Sequence, residues 1–245
     1  MTSAEAFTGE QYAQGYPPGY ERHFWHLARQ RLVLDAVRRM TPAGATTLEA
    51  GCGLGLYVRL LNVAGYDAWG CEPGQPPVHD DVRSRIWCAT RIADLPQELR
   101  ARVNTVLALD VIEHIGEPVE FLSALRRELP ALESLVIAVP ARMEIWSNYD
   151  VRYGHFRRYD KTLLRHTLAQ AGFEIRSMKY AFHATFAAAL AIKLSGRSRS
   201  EDAPVPAPGI ATAIQRLLGR LFYLESLIVP GAVWGSSLLA TATRR

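Results

Sequence analysis

The stretch Leu48-Glu49-Ala50-Gly51-Cys52-Gly53-Leu54-Gly55 (LEAGCGLG) decides the fold class of this chain. The residue pattern predicts a short strand over residues 46–50 before the glycines and a helix over residues 56–64 after them. Glycines let the backbone turn sharply and approach a ligand closely, and the amides at a helix start favour an anionic or polar ligand group. This order of elements is typical of a nucleotide-binding α/β domain.

The spacing of the glycines narrows the class of cofactor that the loop could bind. A dinucleotide fingerprint reads G-x-G-x-x-G, whereas this loop has Leu56 where the third glycine would stand, which favours a smaller cofactor. Glu49 ends the first strand, where it can accept a hydrogen bond from the amino group of an amino-acid moiety. Glu72 ends the second predicted strand about 20 residues after Gly51, a position from which an acid binds both ribose hydroxyls. The alternative is an ordinary glycine-rich turn with two solvated acids.

With these residues the stretch resembles motif I of class I S-adenosylmethionine-dependent methyltransferases, (L/V)(D/E)xGxGxG. Residues 107–115 (LALDVIEHI) are similar to the DVxEHI segment of many small-molecule methyltransferases. Residues 23–34 (HFWHLARQRLVL), 139–160 (VPARMEIWSNYDVRYGHFRRYD) and 235–245 (GSSLLATATRR) resemble a subgroup that acts on small molecules, sugars or lipid precursors. The resemblance covers residues 21–180 and the final strand.

The resemblance implies S-adenosylmethionine as the cofactor and S-adenosylhomocysteine as the product. It also implies that the glycine loop lies against the methionine part, that Asp110 faces the methionine end and that His114 faces the substrate cleft. The acid that the family often uses for adenine is replaced here by Thr90 or Arg91, so Ile92 is expected on the ring, with Asp94 as the alternative. The predicted cofactor residues are Glu49, Gly51, Gly53, Gly55, Glu72, Ile92 and Asp110.

Strands alternate with helices up to residue 180, which predicts a parallel sheet covered on both faces. The predicted fold is α/β and Rossmann-like, with seven mostly parallel strands, helices on both faces, a helical insertion, and an antiparallel last strand at the sheet edge. We expect an N-terminal helical lid segment (1–45), an S-adenosylmethionine-binding core (46–180), an apolar insertion (181–235) and the final core strand (236–245). Residues 1–18 are expected to be mobile or to lie over the domain.

Methyl transfer needs a base only if the acceptor must lose a proton, and histidine titrates near neutral pH. His155 is the first candidate and His114 the second. The loop after the fifth strand gathers aromatic and basic side chains that suit a planar or anionic substrate group. They are Trp146, Tyr149, Arg157, Arg158 and Tyr159. The alternative is that these arginines pair with Asp150 and Asp160 or cap carbonyls while the aromatic rings pack the loop down.

Composition excludes several classes of function. The 245 residues carry a formal net charge of +4 without a dense basic stripe, so no nucleic-acid partner is predicted. The cysteines, Cys52, Cys71 and Cys88, form no C-x-x-C pair, and no metal-ligand spacing such as H-E-x-x-H occurs, so no metal site is predicted. Glu113 beside His114 does not suffice for one. A cytoplasmic protein is expected, with a peripheral membrane location as the alternative.

The sequence therefore predicts a methyltransferase for a small-molecule acceptor such as a sugar, a lipid precursor or a natural-product intermediate, with O-methylation favoured over nitrogen or carbon. One alternative is an inactive protein that binds S-adenosylmethionine or acts as a scaffold, and another is a nicotinamide-dependent oxidoreductase. For the apolar insertion three interpretations stay open: an acceptor pocket or lid, a peripheral membrane contact aided by Arg197, Arg199, Arg216 and Arg220, or a homodimer interface.

Overall fold

The computed structural model describes residues 7–198, 205 and 209–245 of the chain. Its strands are β1 (Thr46–Ala50), β2 (Asp67–Glu72), β3 (Ile86–Cys88), β4 (Val103–Leu109), β5 (Ser134–Pro140), β6 (Phe173–Ala181) and β7 (Ser237–Arg244). Its helices are α1 (Gly9–Gly15), α2 (Phe24–Met40), α3 (Leu56–Val63), α4 (Gln97–Arg100), α5 (Pro118–Glu128), α6 (Asn148–Arg152), α7 (Lys161–Gln170), α8 (His183–Leu194) and α9 (Ile210–Ile228).

The seven strands form one sheet in the order β3-β2-β1-β4-β5-β7-β6. β7 runs antiparallel to both of its neighbours, and β1 to β5 pair in parallel. The predicted fold class is thereby confirmed. The expected edge position of the last strand is wrong, because β7 lies between β5 and β6. Its residues 238–242 are all buried, as an interior strand requires, whereas residues 174–179 of β6, at the edge, are exposed or half-buried.

Helices cover both faces of the sheet. In β4, Val106 and Ala108 face one hydrophobic cluster, which α5 and α7 complete, while Leu107 faces a second cluster that contains α2 and α3. Because successive side chains of a strand point to opposite faces, a strand buried on both faces must be apolar at every position. This explains the apolar runs over residues 106–109 of β4 and 135–140 of β5.

The predicted insertion contains two helices, α8 and α9, and α9 packs along α2. Gly219 lies so close to α2 that an added Cβ would stand 2.9 Å from Leu27 Cβ. The rings of Phe24 and Phe222 meet at 4.6 Å between centroids, and Tyr223 donates a hydrogen bond to Asp35 at 2.6 Å. Part of the predicted loop 195–209, including Arg199, lies outside the described residues.

The N-terminal segment contains a helix that the sequence analysis did not predict. Thr8 and Gln11 form a reciprocal capping box at the start of α1, with Gln11 N donating to Thr8 Oγ1 at 3.2 Å and Thr8 N donating to Gln11 Oε1 at 2.9 Å. The spacing T-x-x-Q is a local signal for a helix start, and it was available in the sequence. Residues 1–6 lie outside the described part of the chain.

Over the described ranges, no helix combines the length and the apolar character that crossing a bilayer requires.

Candidate active site

The glycine loop follows β1 and leads into α3. Gly51 has φ +71°, and an added Cβ would stand 2.9 Å from Val111 Cγ2. Gly55 has φ +88°, and its Cβ would overlap the Ile86 side chain. Both positions therefore require glycine, for their conformation and for the close approach of neighbouring elements.

Glu72 lies at the carboxyl end of β2 and is buried beside this loop. Its Oε2 accepts a hydrogen bond from Gly53 N at 2.8 Å, and its Oε1 accepts from Gly74 N at 3.1 Å and from the Tyr12 hydroxyl at 2.9 Å. Burial, followed by the neighbouring Glu72 carboxylate, raises the pKa of Tyr12, which therefore stays a donor at neutral pH. The contacts hold the predicted ribose-binding carboxylate in a fixed position.

Tyr12 and Tyr16 from the N-terminal segment cover the glycine loop. A Cβ at Gly53 would lie 3.6 Å from the Tyr16 ring, and burial raises the pKa of the Tyr16 hydroxyl well above its ordinary value, with smaller effects from Tyr20 and Asp110. These tyrosines were not predicted at the site. Their spacing of four residues, at 12, 16 and 20, is a helical-period signal.

Three charged side chains from different elements meet at the predicted methionine end. Arg29 of α2 is buried, and its Nη1 lies 2.7 Å from Asp110 Oδ2. Among the described residues, neither Arg29 Nη2 nor Glu49 Oε2 has a hydrogen-bond partner, although both atoms are buried. Burial, reinforced by Glu72, raises the pKa of Glu49 well above its ordinary value. An unpartnered carboxylate oxygen and an unpartnered guanidinium nitrogen suit the amino and carboxylate groups of an amino-acid moiety.

The residues predicted beside adenine lie after β3. Ile92 packs half-buried against the core, in the short 3-10 turn Ile92–Asp94. Asp94 pairs with Arg91 at 2.8 Å on the surface, and Thr90 donates to the Cys88 carbonyl at 2.8 Å. Ile92 thus presents a half-buried apolar side chain, while the Asp94 carboxylate is already paired with Arg91.

His114 and His155 are brought together from two separate segments. Their ring centroids lie 4.6 Å apart at an interplanar angle of 81°. His114 ends the 3-10 turn Ile112–His114 after β4, and the loop that carries His155 is bound to this turn by a hydrogen bond from Phe156 N to the Glu113 carbonyl at 2.8 Å. Arg157 adds a bond from Nη2 to the Gly116 carbonyl at 2.8 Å. The two predicted catalytic histidines therefore share one site.

Asp150 fixes the orientation of His155. This carboxylate is fully buried, and its Oδ1 lies 2.8 Å from His155 Nδ1 and 2.7 Å from Arg158 Nε, which donates to it. Its Oδ2 accepts from Ser147 N at 2.9 Å. Burial alone would raise the pKa of Asp150, but the hydrogen bonds from His155 and Arg158 outweigh it and hold the pKa at about 2. Asp150 stays ionised and keeps the His155 ring in place.

The predicted substrate residues divide into two groups. Trp146, Tyr149 and Arg157 are half-buried, and the Tyr149 ring lies 6.5 Å from the His155 ring. Arg158 and Tyr159 are buried and make internal bonds, the former to Asp150 and the latter to the Ile112 carbonyl at 3.3 Å. Arg158 and Tyr159 therefore support the loop, whereas Trp146, Tyr149 and Arg157 remain partly exposed.

Glu113 is the third polar side chain beside the histidines, and it is fully buried. Burial and the neighbouring Asp110 carboxylate raise the pKa of Glu113 well above its ordinary value. Burial, with a smaller effect from His155, lowers the pKa of His114 to about 3, so this imidazole is neutral at physiological pH. The neutral His114 imidazole therefore has one unprotonated ring nitrogen, next to the His155 ring.

Comparisons with known proteins agree with this fold. Residues 24–178 match the family model described as "Methyltransferase domain". A protein of Mycolicibacterium smegmatis, named as a probable S-adenosylmethionine-dependent methyltransferase, is 28% identical over 189 residues, which cover 75% of this chain and 71% of the relative.

Two solved structures show the same fold. Magnesium protoporphyrin IX methyltransferase (ChlM) from Synechocystis, solved with bound S-adenosylhomocysteine, has a TM-score of 0.53 and 16% identity and covers 97% of each chain. A TehB-like methyltransferase from Corynebacterium glutamicum has a TM-score of 0.52 and 18% identity, over 97% of this chain and 98% of that one. At these identities the likeness concerns the fold.

The sheet order, the glycine loop and the carboxylate after β2 define the class I methyltransferase architecture. The chain belongs to the methyltransferase domain family and is an S-adenosylmethionine-dependent methyltransferase.

Proposed function

We propose that this enzyme methylates an oxygen atom of a small-molecule acceptor, with His155 as the proton acceptor ahead of His114. The observation that carries the proposal is the 2.8 Å contact of His155 Nδ1 with the buried Asp150, next to His114 at the carboxyl end of β4. Bound S-adenosylmethionine supplies a methyl group on a sulfonium that is already activated, so catalysis consists largely of orienting the acceptor.

Each residue of the site has a separate task in this proposal. Glu72 binds the ribose hydroxyls, and Glu49, Arg29 and Asp110 bind the amino and carboxylate groups of the methionine part. Asp150 holds the tautomer of His155 that leaves Nε2 free to accept the acceptor's proton. Tyr149 and Arg157 are the contacts proposed for the acceptor itself. Sugars, lipid precursors and natural-product intermediates carry hydroxyl groups that fit this chemistry.

The first experiment measures cofactor binding by calorimetry, with NADH as the control compound. We expect S-adenosylmethionine and S-adenosylhomocysteine to bind and NADH not to bind. Glu72→Ala removes an acceptor of charge-assisted hydrogen bonds, each worth about 1.5–3 kcal/mol, so affinity should fall at least about tenfold. If NADH binds instead, the oxidoreductase alternative replaces the proposal.

The second experiment measures transfer of a labelled methyl group to a panel of acceptors that includes lipid-linked sugars. Removing a general base costs about 10²–10⁴ in rate, so His155→Ala should lose this factor while it still binds S-adenosylmethionine. His166 is exposed on α7, and His166→Ala is the matched control with unchanged rate. Cofactor binding without transfer to any acceptor would instead support the inactive binding protein.

We also propose that the outer face of α9 contacts an anionic membrane surface, from which a lipid-linked acceptor is reached. This face exposes a row of large aliphatic side chains at helical spacing. They are Ile210, Ile214, Leu217, Leu221, Leu224 and Ile228. Arg216 and Arg220 are exposed beside them, and Glu225, the one acid in the helix sequence, accepts from Ala184 N at 2.7 Å.

The charges favour a membrane over a second copy of the chain. If the α9 faces of two copies were in contact, their arginines would face one another and repel, because the face has no exposed acid to pair with them. Anionic headgroups of a membrane would instead neutralise these arginines. We expect the protein to sediment with vesicles that contain phosphatidylglycerol and not with pure phosphatidylcholine, and Leu217→Gln with Leu221→Gln to abolish sedimentation. A dimer that these substitutions dissociate, measured by analytical ultracentrifugation, would contradict the proposal in favour of self-association.

A further inference from the structure

Glu113 presents a buried carboxyl group whose oxygen atoms have no hydrogen-bond partner among the other described residues. Its side chain is fully buried. The two guanidinium groups near it are already paired elsewhere, Arg29 with Asp110 at 2.7 Å and Arg158 with Asp150 at 2.7 Å. A buried polar group without a partner costs several kcal/mol, and such a group usually indicates a water or an ion that completes it.

Two imidazoles stand beside this carboxylate. One ligand atom from each of Glu113, His114 and His155 can be chosen so that all three lie within 4.8 Å of one another. Bonds of about 2.0–2.2 Å to one tetrahedral ion place the ligand atoms about 3.4 Å apart, so these atoms would have to approach one another by up to about 1.4 Å. The three side chains are therefore close enough to bind one ion after small rotations.

Both histidines are oriented as metal-binding histidines are. His155 Nδ1 contacts the Asp150 carboxylate at 2.8 Å, and the His114 ring makes a hydrogen bond to the backbone of Tyr153. Histidine ligands of metals nearly always have the second ring nitrogen bonded to a carboxylate or a carbonyl, which fixes the tautomer and the ring direction. Each ring thus keeps one nitrogen free for a ligand.

We propose that Glu113, His114 and His155 form a binding site for a divalent transition-metal ion of the Zn²⁺ type. Imidazole nitrogen with carboxylate oxygen suits Zn²⁺ and its neighbours rather than Mg²⁺ or Ca²⁺, which prefer oxygen ligands alone. Three protein ligands are typical of sites that keep an open coordination position. That position is available to water or to an oxygen atom of the acceptor.

The inference rests on the proposed function for the place of the acceptor, and it changes the role of the histidines. A ligating imidazole gives its lone pair to the ion and cannot accept a proton. The ion would then lower the pKa of the bound hydroxyl, and the released proton would go to water. His155 would therefore accept a proton only in the protein without the ion, and would be a ligand of the ion in the metal-bound protein.

The test is metal binding by the full chain, first stripped with a chelator and then titrated with Zn²⁺ by calorimetry and with Co²⁺ by visible absorption. We expect stoichiometric binding and the absorption of ligated Co²⁺. Glu113→Gln keeps the shape of the side chain and removes its charge, and it should weaken Zn²⁺ binding at least about tenfold, the range for loss of a supporting or direct ligand. His155→Ala should abolish the Co²⁺ absorption.

His166→Ala serves as the matched control and should bind both ions as the wild type does, and binding of S-adenosylmethionine verifies that each variant is folded. The inference is overturned if the wild type binds no stoichiometric ion, or if Glu113→Gln binds it equally well. Zn²⁺ binding by a protein that methylates no acceptor overturns the proposed function alone, and methyl transfer by a protein that binds no ion overturns this inference alone.

Discussion

At the scale of single residues, Arg29 connects the N-terminal helix to the cofactor site. Its guanidinium is buried, contacts Asp110 at 2.7 Å and lies 4.9 Å from the centre of the Trp25 ring. One of its nitrogens, Nη2, has no hydrogen-bond partner among the described residues. A buried guanidinium nitrogen without a partner is expected where a ligand carboxylate binds. We therefore expect a residue of α2 to contact the cofactor itself and not only to cover the site.

We predict that Arg29→Leu weakens S-adenosylmethionine binding by roughly 10- to 100-fold, because a charge-assisted hydrogen bond is worth about 1.5–3 kcal/mol. Calorimetry measures this change. Arg38→Leu, at an exposed position of the same helix, is the control and should bind as the wild type does. Equal affinities in both variants would show that Arg29 does not contact the cofactor.

His26 gives a prediction for pH dependence. Burial, with smaller effects from Arg29 and His23, lowers the pKa of His26 from 6.5 to about 3, and its ring packs against Tyr20 at 4.9 Å between centroids. Below pH 6.5 the unfolded chain takes up a proton that the folded protein excludes. The stability that neutral His26 provides is therefore complete above pH 6.5 and is lost progressively as the pH falls toward 3.

Urea unfolding at several pH values checks this linkage. Between pH 6.5 and 5.0 we expect His26→Gln to lose about 1 to 2 kcal/mol less stability than the wild type, since each pKa unit corresponds to about 1.4 kcal/mol. The exposed His166→Gln should follow the wild-type curve. If the His26→Gln and wild-type curves run parallel, His26 takes up its proton in the folded protein at an ordinary pKa.

At the scale of elements, the packing of α9 on α2 depends on Gly219. Its missing side chain leaves the space in which Leu27 Cβ and the Phe24 carbonyl approach, at 2.9 and 3.2 Å from the position of an added Cβ. A glycine inside a helix costs about 1 kcal/mol relative to alanine, so its presence indicates that close approach outweighs helix propensity here.

We predict that Gly219→Val lowers the free energy of unfolding by about 1–3 kcal/mol, the usual cost of overpacking, and increases hydrogen exchange in α9. Ala213→Val places the same side chain on the exposed face of the same helix and separates this effect from the helix propensity of valine. Equal losses in the two variants would mean that the α2–α9 contact does not limit the size of residue 219.

At the scale of the whole molecule, the cofactor site joins the N-terminal segment to the sheet. Tyr12 of α1 donates a hydrogen bond to Glu72 of β2, and Arg29 of α2 forms an ion pair with Asp110 after β4. A ligand that binds these groups only when they are assembled must stabilise the folded state as a unit.

Thermal unfolding tests this coupling. At a concentration 100 times its Kd, S-adenosylmethionine should stabilise the protein by about 2.7 kcal/mol, which for a chain of this size raises Tm by about 5–10 °C. S-adenosylhomocysteine should act in the same direction. Glu72→Ala, with an affinity at least about tenfold lower, should show about half of this shift or less at the same concentration, and a full shift in this variant would exclude Glu72 as the ribose anchor.

The sequence by itself determined the local elements. The bounds predicted for β1 agree with the structure, and those predicted for α3 differ by one residue. These bounds follow from the apolar runs of buried strands and the period of amphipathic helices, and the glycine loop follows from backbone conformations that only glycine adopts readily. Such signals depend only on a few neighbouring residues, so they can be recognised without knowing which distant residues pack against them.

Only the tertiary structure decided which distant residues meet. It placed β7 inside the sheet rather than at its edge, because alternation of elements does not encode the order of strands. It brought Arg29 to Asp110, Tyr12 to Glu72, and Glu113 with His114 to His155. These contacts depend on how helices and loops pack on both faces of the sheet, and that packing is settled by burial over the whole chain, not by any local pattern.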